Sequence, residues 1–135
     1  MDCIFCKIIT GEIPAKKIYE DENVLSFLDI SPVNFGHALV IPKKHYADLL
    51  SADETTLSFL MLAVKKIAPV LIRAVGASGF NLNLNNGSVA GQVVDHLHFH
   101  IIPRFVDDGL KLWSGGDYDH KRSEKLIEEI KESLS

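Results

Sequence analysis

The chain has 135 residues, of which 47% are hydrophobic and 24% are charged, and its formal net charge is −4. This length and composition are typical of a globular domain with a substantial core, so we expect a single domain over residues 1–135. An acidic chain lacks the extended basic surface that binds polymeric nucleic acid. The charge therefore argues against a nucleic-acid partner, but it does not exclude a small phosphate ligand in a local pocket.

The sequence contains no apolar run that approaches membrane-spanning length, and its N-terminus lacks the features of a signal peptide. We therefore expect a cytoplasmic protein with no membrane partner. In that compartment the two cysteines, Cys3 and Cys6, favour metal or redox chemistry over a structural disulfide.

The first predicted elements are short. Residues 3–10 form an apolar segment that predicts a short helix or a knuckle and stops at Gly11. Apolar and β-branched residues bounded by turn signals then predict three strands, at 18–20, 24–30 and 37–41.

The longest predicted element is an amphipathic helix. Residues 51–54, Ser-Ala-Asp-Glu, match a capping box and predict where this helix begins. Pro69 should kink or end the helix nearby. Behind the capping box, apolar residues recur at helical spacing, at Leu57, Leu60, Met61, Val64, Ile67 and Leu71.

The second half of the chain completes an α+β pattern. Residues 80–85 alternate apolar side chains with asparagines and predict a half-buried strand, and residues 119–133 predict a charged helix. We expect an antiparallel sheet with the main helix on one face and a C-terminal helix, so that the other face carries the polar alternates.

Three histidines, His96, His98 and His100, occupy alternate positions in one apolar stretch. On a strand they would share one face. They could be incidental, they could bind a catalytic zinc, or one could act as a nucleophile while its neighbours orient it and bind phosphate. Successive alternates form a line that converges poorly on one ion, and the central imidazole has a neighbour on each side, so the last interpretation is favoured.

The run from Gln92 to Ile102 resembles the signature of the histidine triad (HIT) family. Upstream segments resemble its Hint-like branch in bacterial or archaeal form, and the resemblance covers residues 3–104, leaving 105–135 as a C-terminal extension. These segments are residues 3–9, 27–32, 36–43, 85–87 and 91–92.

The resemblance implies a homodimeric nucleotide hydrolase or transferase that acts at the α-phosphorus of purine nucleoside phosphate derivatives, of the phosphoramidate or dinucleoside polyphosphate type. It implies that His98 forms a nucleotidyl-histidine intermediate, that His100 hydrogen-bonds the phosphate and that His37 orders the triad. The alternative is a nucleotide-binding regulatory module with little catalysis. His37 could also be a simple strand-start histidine.

The same resemblance assigns the nucleotide contacts. It implies that Asp29 binds the ribose hydroxyls, that Asn85 and Gln92 bind phosphate oxygens or the bridging atom, and that Phe27 and Ile30 flank the base. Backbone N–H groups near Gly91 would add phosphate donors. From the sequence alone, the less favoured alternative is that Asp29 and Asn85 are turn residues.

The spacing of Cys3 and Cys6 can supply two thiolates to one tetrahedral metal. A redox role would require a thioredoxin-like unit, which is not evident, and the cysteines could also be small apolar residues of a short helix. Some bacterial HIT relatives and galactose-1-phosphate uridylyltransferases look similar here, which implies a structural zinc held by Cys3, Cys6, His45 and His96.

The chain departs from the Hint-like pattern in two respects. Val93 stands where Ser or Thr is frequent near the leaving group, which weakens a specific prediction of phosphoramidate substrates. Asp95, Asp107 and Asp108 place negative charge near the histidines and should disfavour polyphosphates. Two alternatives stay open for Trp113 in the C-terminal extension, which could cover either the pocket or the partner subunit, and we assign no role to His120.

Overall fold

A computed structural model describes residues 2–135 as an antiparallel sheet with helices on both faces. The elements are α1 (Ile4–Ile9), β1 (Lys17–Glu20), β2 (Val24–Leu28), β3 (Ala38–Pro42), α2 (Glu54–Val75), β4 (Gly79–Leu84), a 3₁₀ turn (Ser88–Ala90), β5 (Phe99–Arg104) and α3 (His120–Leu134). The five strands lie in the order β1-β2-β3-β5-β4, and all neighbours are antiparallel. This confirms the predicted α+β fold.

Two apolar clusters cover the two faces of the sheet. Buried residues of α2, including Leu60 and Val64, pack on one face against alternate residues of the central strands, such as Val40 and Ile101. On the other face, which the sequence predicted to be polar, α1 packs Phe5 and its neighbours over β2 and β3. Full burial of a Leu or Ile side chain stabilises a fold by about 1.5–3 kcal/mol, so both clusters contribute to holding the sheet in place.

The start of α2 differs from the predicted capping box. Asp53 caps the helix, because its Oδ1 accepts a hydrogen bond of 2.8 Å from the N–H of Thr56. Ser51 lies in the preceding turn, where its N–H donates to Oδ1 of Asp48 at 2.9 Å.

Helix α2 does not end at Pro69. It continues to Val75, and Gly76 caps its C-terminus. The buried face on both sides of Pro69 holds the helix together there.

Helix α2 also contradicts the expectation that no apolar run reaches membrane-spanning length. It has 22 residues, and an 18-residue window reaches a mean hydropathy of 1.6, so by length and composition alone it could cross a membrane. The core helix of a soluble protein can have the same length and mean hydropathy, and one face of α2 is buried against the sheet. This length and hydropathy therefore identify no membrane segment.

The histidine segment is only partly a strand. Strand β5 begins at Phe99, so His100 lies in the strand while His96 and His98 lie in the irregular stretch before it. The ladder does not extend back to them, because the N–H of Leu97 donates at 2.7 Å to the carbonyl of Tyr46, in the loop after β3. The alternation still separates the two faces, since Leu97, Phe99 and Ile101 belong to the cluster under α2.

Gly36, directly before His37, packs closely against the end of α2, and its replacement should destabilise the fold. Gly36 has a φ of +88°, and a Cβ there would lie 2.8 Å from Cγ1 of Val75 at the end of α2. Gly36→Ala therefore adds a clash to backbone strain, and we expect the free energy of unfolding in urea to fall by about 2–4 kcal/mol.

Gly76→Ala is the matched control for this prediction, because Gly76 has a φ of +71° but no neighbour within 4 Å of its Cβ position. In Gly76→Ala the free energy of unfolding should fall only by the cost of backbone strain, about 1 kcal/mol. Equal losses in the two variants would contradict the predicted clash.

Candidate functional site

Four potential metal ligands meet where α1, the loop after β3 and the histidine segment come together. The Sγ atoms of Cys3 and Cys6 and the Nδ1 atoms of His45 and His96 all lie within 4.8 Å of one another. Nδ1 of His96 is 3.4 Å from Sγ of Cys3, 3.6 Å from Sγ of Cys6 and 3.1 Å from Nδ1 of His45. Ligands of a tetrahedral zinc ion stand about 3.3–3.8 Å apart, so this Cys2His2 group has the size and chemistry of a metal site.

The surroundings of His96 aim its ring at this group. The side chain is fully buried, and its Nε2–H donates to the carbonyl of Pro42 at 2.8 Å. This hydrogen bond leaves the Nδ1 lone pair facing the thiols, which is the arrangement that a metal-binding imidazole needs. Burial, followed by the adjacent thiol of Cys3, raises the pKa of Cys6. A bound cation would oppose that shift by favouring the thiolate.

His98 is fixed in the opposite tautomer by the backbone. Its Nδ1 lies 2.6 Å from the carbonyl oxygen of His96, and a carbonyl only accepts, so Nδ1 carries the proton. Nε2 of His98 therefore keeps its lone pair. The ring of Phe5 packs edge-on against this imidazole with centroids 5.2 Å apart. In its neutral form, His98 thus has one nucleophilic nitrogen, Nε2, and its ring orientation is restricted.

His37 and His100 form a hydrogen-bonded relay. The N–H of Val33 donates to Nδ1 of His37 at 3.0 Å, so His37 carries its proton on Nε2, which donates to Nδ1 of His100 at 2.9 Å. The proton of His100 is then on Nε2, a buried nitrogen with no hydrogen-bond partner among the described residues. An unpartnered buried N–H is costly unless a ligand oxygen accepts from it.

Burial keeps these imidazoles neutral. It lowers the pKa of His100 to about 4, with smaller contributions from His98 and His37, while Asp29 opposes the shift. Burial also lowers the pKa of His37, again against the attraction of Asp29, whose Oδ2 lies 3.6 Å from Nε2 of His37. Asp29, His37 and His100 could also group around a metal, but the 2.9 Å contact is explained by a hydrogen bond.

A cleft of about 490 Å³ opens beside His98 and His100. Its walls are largely apolar and come from α1, from β2 with the loop after it, and from the loop before the triad. Asp29 lies at its edge and also forms a turn, because its Oδ1 accepts from the N–H of Ser31 at 2.8 Å. Of the nucleotide contacts expected from the sequence, this cleft brings together Phe27, Asp29, Ile30, Gly91, His98 and His100.

The amides of Asn85 and Gln92 are not on the cleft wall, in contrast to the sequence-based expectation. The Gln92 amide group donates to the carbonyls of Ala47 and Val94, and its Oε1 accepts from the N–H of Gly87 at 2.9 Å. Because these bonds occupy both donors, Gln92 holds loops together instead of presenting its amide to a ligand. Asn85 lies against Gly91, with Nδ2 at 3.5 Å from its carbonyl oxygen.

Sequence reasoning missed Phe5 and misjudged Asp108. Phe5 lies between the two cysteines, and that position could have indicated that a metal loop would direct it toward the triad. Asp108 was expected to add negative charge, but Arg104 pairs with it through Nε at 2.8 Å and Nη2 at 3.0 Å and holds the pKa of that carboxyl well below its usual range. The ion pair offsets the expected repulsion of a phosphate.

The chain belongs to the HIT family, since the HIT domain profile matches residues 10–107. It is 50% identical over 129 residues to an uncharacterized HIT-like protein of Methanocaldococcus jannaschii, covering 96% of this chain and 98% of that protein. It is 42% identical to the adenylylsulfatase HINT3 of Arabidopsis thaliana, covering 99% of this chain and 66% of that protein. It is 43% identical to an adenosine 5'-monophosphoramidase of Candida albicans, covering 98% and 91%.

Solved structures agree with this assignment. A protein of Streptococcus mutans superposes with a TM-score of 0.94 at 43% identity, covering 99% of this chain and 86% of that one. A zinc-bound histidine triad family protein of Mycobacterium smegmatis superposes with a TM-score of 0.77 at 39% identity, covering 99% and 96%. The HIT fold therefore extends over nearly the whole chain.

Protonation of His100 should destabilise the fold. Its pKa is about 4 when folded and takes the ordinary value of 6.5 when unfolded. The contribution of neutral His100 to the free energy of unfolding is therefore complete above pH 6.5 and is lost as the pH falls toward 4. The loss amounts to up to about 3 kcal/mol. His100→Gln cannot titrate, so the advantage of the wild type over this variant in urea unfolding should shrink across that range.

Groups away from His37 and His98 titrate alike in both proteins and cancel in the comparison. A wild-type advantage that does not change with pH would contradict the lowered pKa of His100.

Proposed function

We propose that this protein hydrolyses nucleoside monophosphate derivatives at the α-phosphorus through a covalent intermediate on His98. The observation that carries the proposal is that His98 and His100 are held in complementary tautomers. The hydrogen bond to the His96 carbonyl places the lone pair of neutral His98 on Nε2, and the relay from His37 leaves an N–H on Nε2 of His100. A nucleophile and a phosphate donor thus lie side by side, with ring centroids 4.9 Å apart.

In the first step, the lone pair on Nε2 of His98 attacks the α-phosphorus, and the bond from phosphorus to the leaving group breaks with its electron pair going to that group. The positive charge that develops on the imidazole is stabilised through Nδ1–H by the His96 carbonyl. His100 donates its Nε2–H to a phosphate oxygen, where negative charge increases in the transition state.

In the second step, water attacks the phosphorus, the bond to Nε2 of His98 breaks with its electron pair returning to the nitrogen, and the water gives up a proton to the departed basic leaving group or to solvent. The imidazole returns to its neutral form, and the nucleoside monophosphate leaves. The balance is one substrate and one water converted to a nucleoside monophosphate and the protonated or anionic leaving group. A second nucleophile in place of water would make the same site a transferase.

The cleft supports a purine nucleotide as the ligand. Its apolar walls, which include Phe5, Phe27 and Ile30, can enclose a base, and the carboxylate of Asp29 can accept hydrogen bonds from ribose hydroxyls. The two relatives named as an adenylylsulfatase and an adenosine 5'-monophosphoramidase support a nucleotide substrate.

A nucleotidyl adduct on His98 tests the function directly. After rapid mixing with adenosine 5'-monophosphoramidate, mass spectrometry should find an added adenylyl group on the peptide that contains His98. His98→Ala should form no adduct, and its kcat should fall by at least about 10³-fold, as expected for loss of a nucleophile.

His120→Ala is the matched control, because His120 lies on exposed α3, away from the cleft. Nucleotide binding without turnover or adduct would instead favour the regulatory module.

We also propose that the Cys2His2 group binds a structural zinc ion. The distances among the four ligand atoms, the thiol and imidazole chemistry and the zinc-bound structural neighbour support it. Zinc would supply a crosslink between α1, the loop that carries His45 and the triad segment, while this chain's His98 stays outside the ligand group.

Metal analysis tests the zinc proposal. We expect about one zinc per chain in the purified protein, and a loss of most of it in Cys6→Ser and His45→Ala with a lowered melting temperature. His120→Ala should retain the wild-type content. Unchanged zinc in Cys6→Ser would contradict the assignment of the ligands.

We propose further that the chain forms a homodimer through β4. This strand is at the edge of the sheet, and Phe80 and Leu82 are exposed there next to Met61 and Leu62 of α2. An unprotected apolar edge strand favours pairing with a second copy.

Light scattering of two variants tests this interface. Leu82→Lys should be a monomer, whereas Leu126→Lys on α3 should stay a dimer. A dimeric Leu82→Lys protein would contradict the interface through β4.

A further inference from the structure

The loop before His37, residues 31–36, is tied to the rest of the protein by the side chain of Asn34. The amide nitrogen of Asn34 donates to the carbonyl of Pro103 in β5 at 2.9 Å and to Oδ2 of Asp108 at 2.9 Å. Both partners can only accept, so these bonds use both N–H groups of the amide and fix its orientation. Among the described residues, no other side chain of this loop makes a hydrogen bond, and those of Val33 and Phe35 are exposed.

The two partners of Asn34 are themselves held in place. Arg104 pairs with Asp108 through two hydrogen bonds, of 2.8 and 3.0 Å. Pro103 lies in β5, beyond Ile101, where the ladder between β3 and β5 ends. The amide of Asn34 therefore continues the connection to β5 past the end of that ladder and fixes the loop against the strand.

The position of this loop decides which nitrogen of His37 carries the proton. The N–H of Val33 donates to Nδ1 of His37 at 3.0 Å, and a proton on Nδ1 would face that N–H. The other neighbours of the ring select less strongly. Nδ1 of His100 is able to accept or to donate, and Oδ2 of Asp29 is 3.6 Å from Nε2 of His37, too far for a good hydrogen bond. The contact from Val33 is thus the one that excludes the other tautomer.

Without this contact the relay is free to reverse. His37 would then carry its proton on Nδ1, and its Nε2 would accept from Nδ1–H of His100, so that Nε2 of His100 would become a lone pair. The described direction leaves a buried N–H of His100 without a partner until a ligand accepts from it. Such a group is costly, so the described direction depends on a contact that excludes its reversal.

We propose that Asn34 is a positioning residue that sets the direction of the relay from His37 to His100. By fixing the loop against β5, Asn34 keeps the N–H of Val33 at Nδ1 of His37 and thereby keeps the proton of His100 on Nε2. The catalytic consequence rests on the proposed function, in which a phosphate oxygen accepts from that nitrogen. Asn34 does not line the cleft, so its removal should change proton positions and kcat more than nucleotide binding.

Two measurements on Asn34→Ala and Asn34→Asp test this role, after cooperative thermal unfolding has shown that the variants are folded. Long-range ¹H–¹⁵N spectra at neutral pH should show protons of His37 and His100 moving, wholly or in part, from Nε2 to Nδ1. With adenosine 5'-monophosphoramidate, kcat should fall about tenfold and KM should change less than about twofold, because a donor to the transition state is weakened. Asn34→Asp should have the larger effect, since its carboxylate would face Asp108.

A His100→Ala background separates positioning from a general loss of structure. If Asn34 acts through His100, Asn34→Ala should lower kcat less than about twofold in that background. Phe35→Ala is the matched control, because Phe35 is exposed in the same loop, and it should match its parent protein in both backgrounds.

Three results would overturn the role of Asn34 and leave the proposed function intact. They are a wild-type spectrum with the His37 proton on Nδ1, unchanged proton positions in the folded Asn34 variants, and a loss of kcat that persists undiminished in the His100→Ala background. Wild-type protein that turns over no nucleotide would refute the proposed function, and the spectra alone would then decide whether Asn34 sets the relay.

Discussion

The arrangement of the site depends on the three-sided restraint of His96. Its Nδ1 faces two thiols and a second imidazole, its Nε2–H is bound to the Pro42 carbonyl, and its own carbonyl accepts from His98. A buried imidazole held at both nitrogens cannot rotate without leaving a polar atom unpaired. The residue that closes the metal group thereby also fixes the tautomer of the proposed nucleophile, and Phe5, next to the cysteines, packs against the same ring.

This restraint divides three chemically identical side chains into three roles. His96 directs a lone pair at the Cys2His2 group, neutral His98 keeps its lone pair on Nε2, and His100 keeps its proton on Nε2 through the relay with His37, while His98 and His100 both line the cleft. Low pKa values produced by burial keep His37 and His100 neutral near pH 7, so the hydrogen-bond directions persist there. Catalysis by this site would therefore depend on preset proton positions more than on changes of charge.

The sequence predicted what depends on local pattern. Alternation placed the histidines opposite Leu97 and Phe99, and residue type and spacing, with the family resemblance, brought Cys3 and His45 to one metal group. Details that depend on distant partners were not predictable: Tyr46 ends the ladder before His98, Arg104 neutralises Asp108, and backbone carbonyls occupy Gln92. The single-domain boundary at 1–135 and the cytoplasmic location stay predictions.

The central claim is that backbone and side-chain partners set a different proton position on each histidine. Long-range ¹H–¹⁵N correlation spectra of the imidazole rings at neutral pH measure those positions directly, because protonated and lone-pair nitrogens differ strongly in ¹⁵N shift. The account predicts a proton on Nδ1 of His98 and on Nε2 of His37, His96 and His100. A His98 ring with its proton on Nε2 would contradict it, because the proposed nucleophile would then have no lone pair toward the substrate.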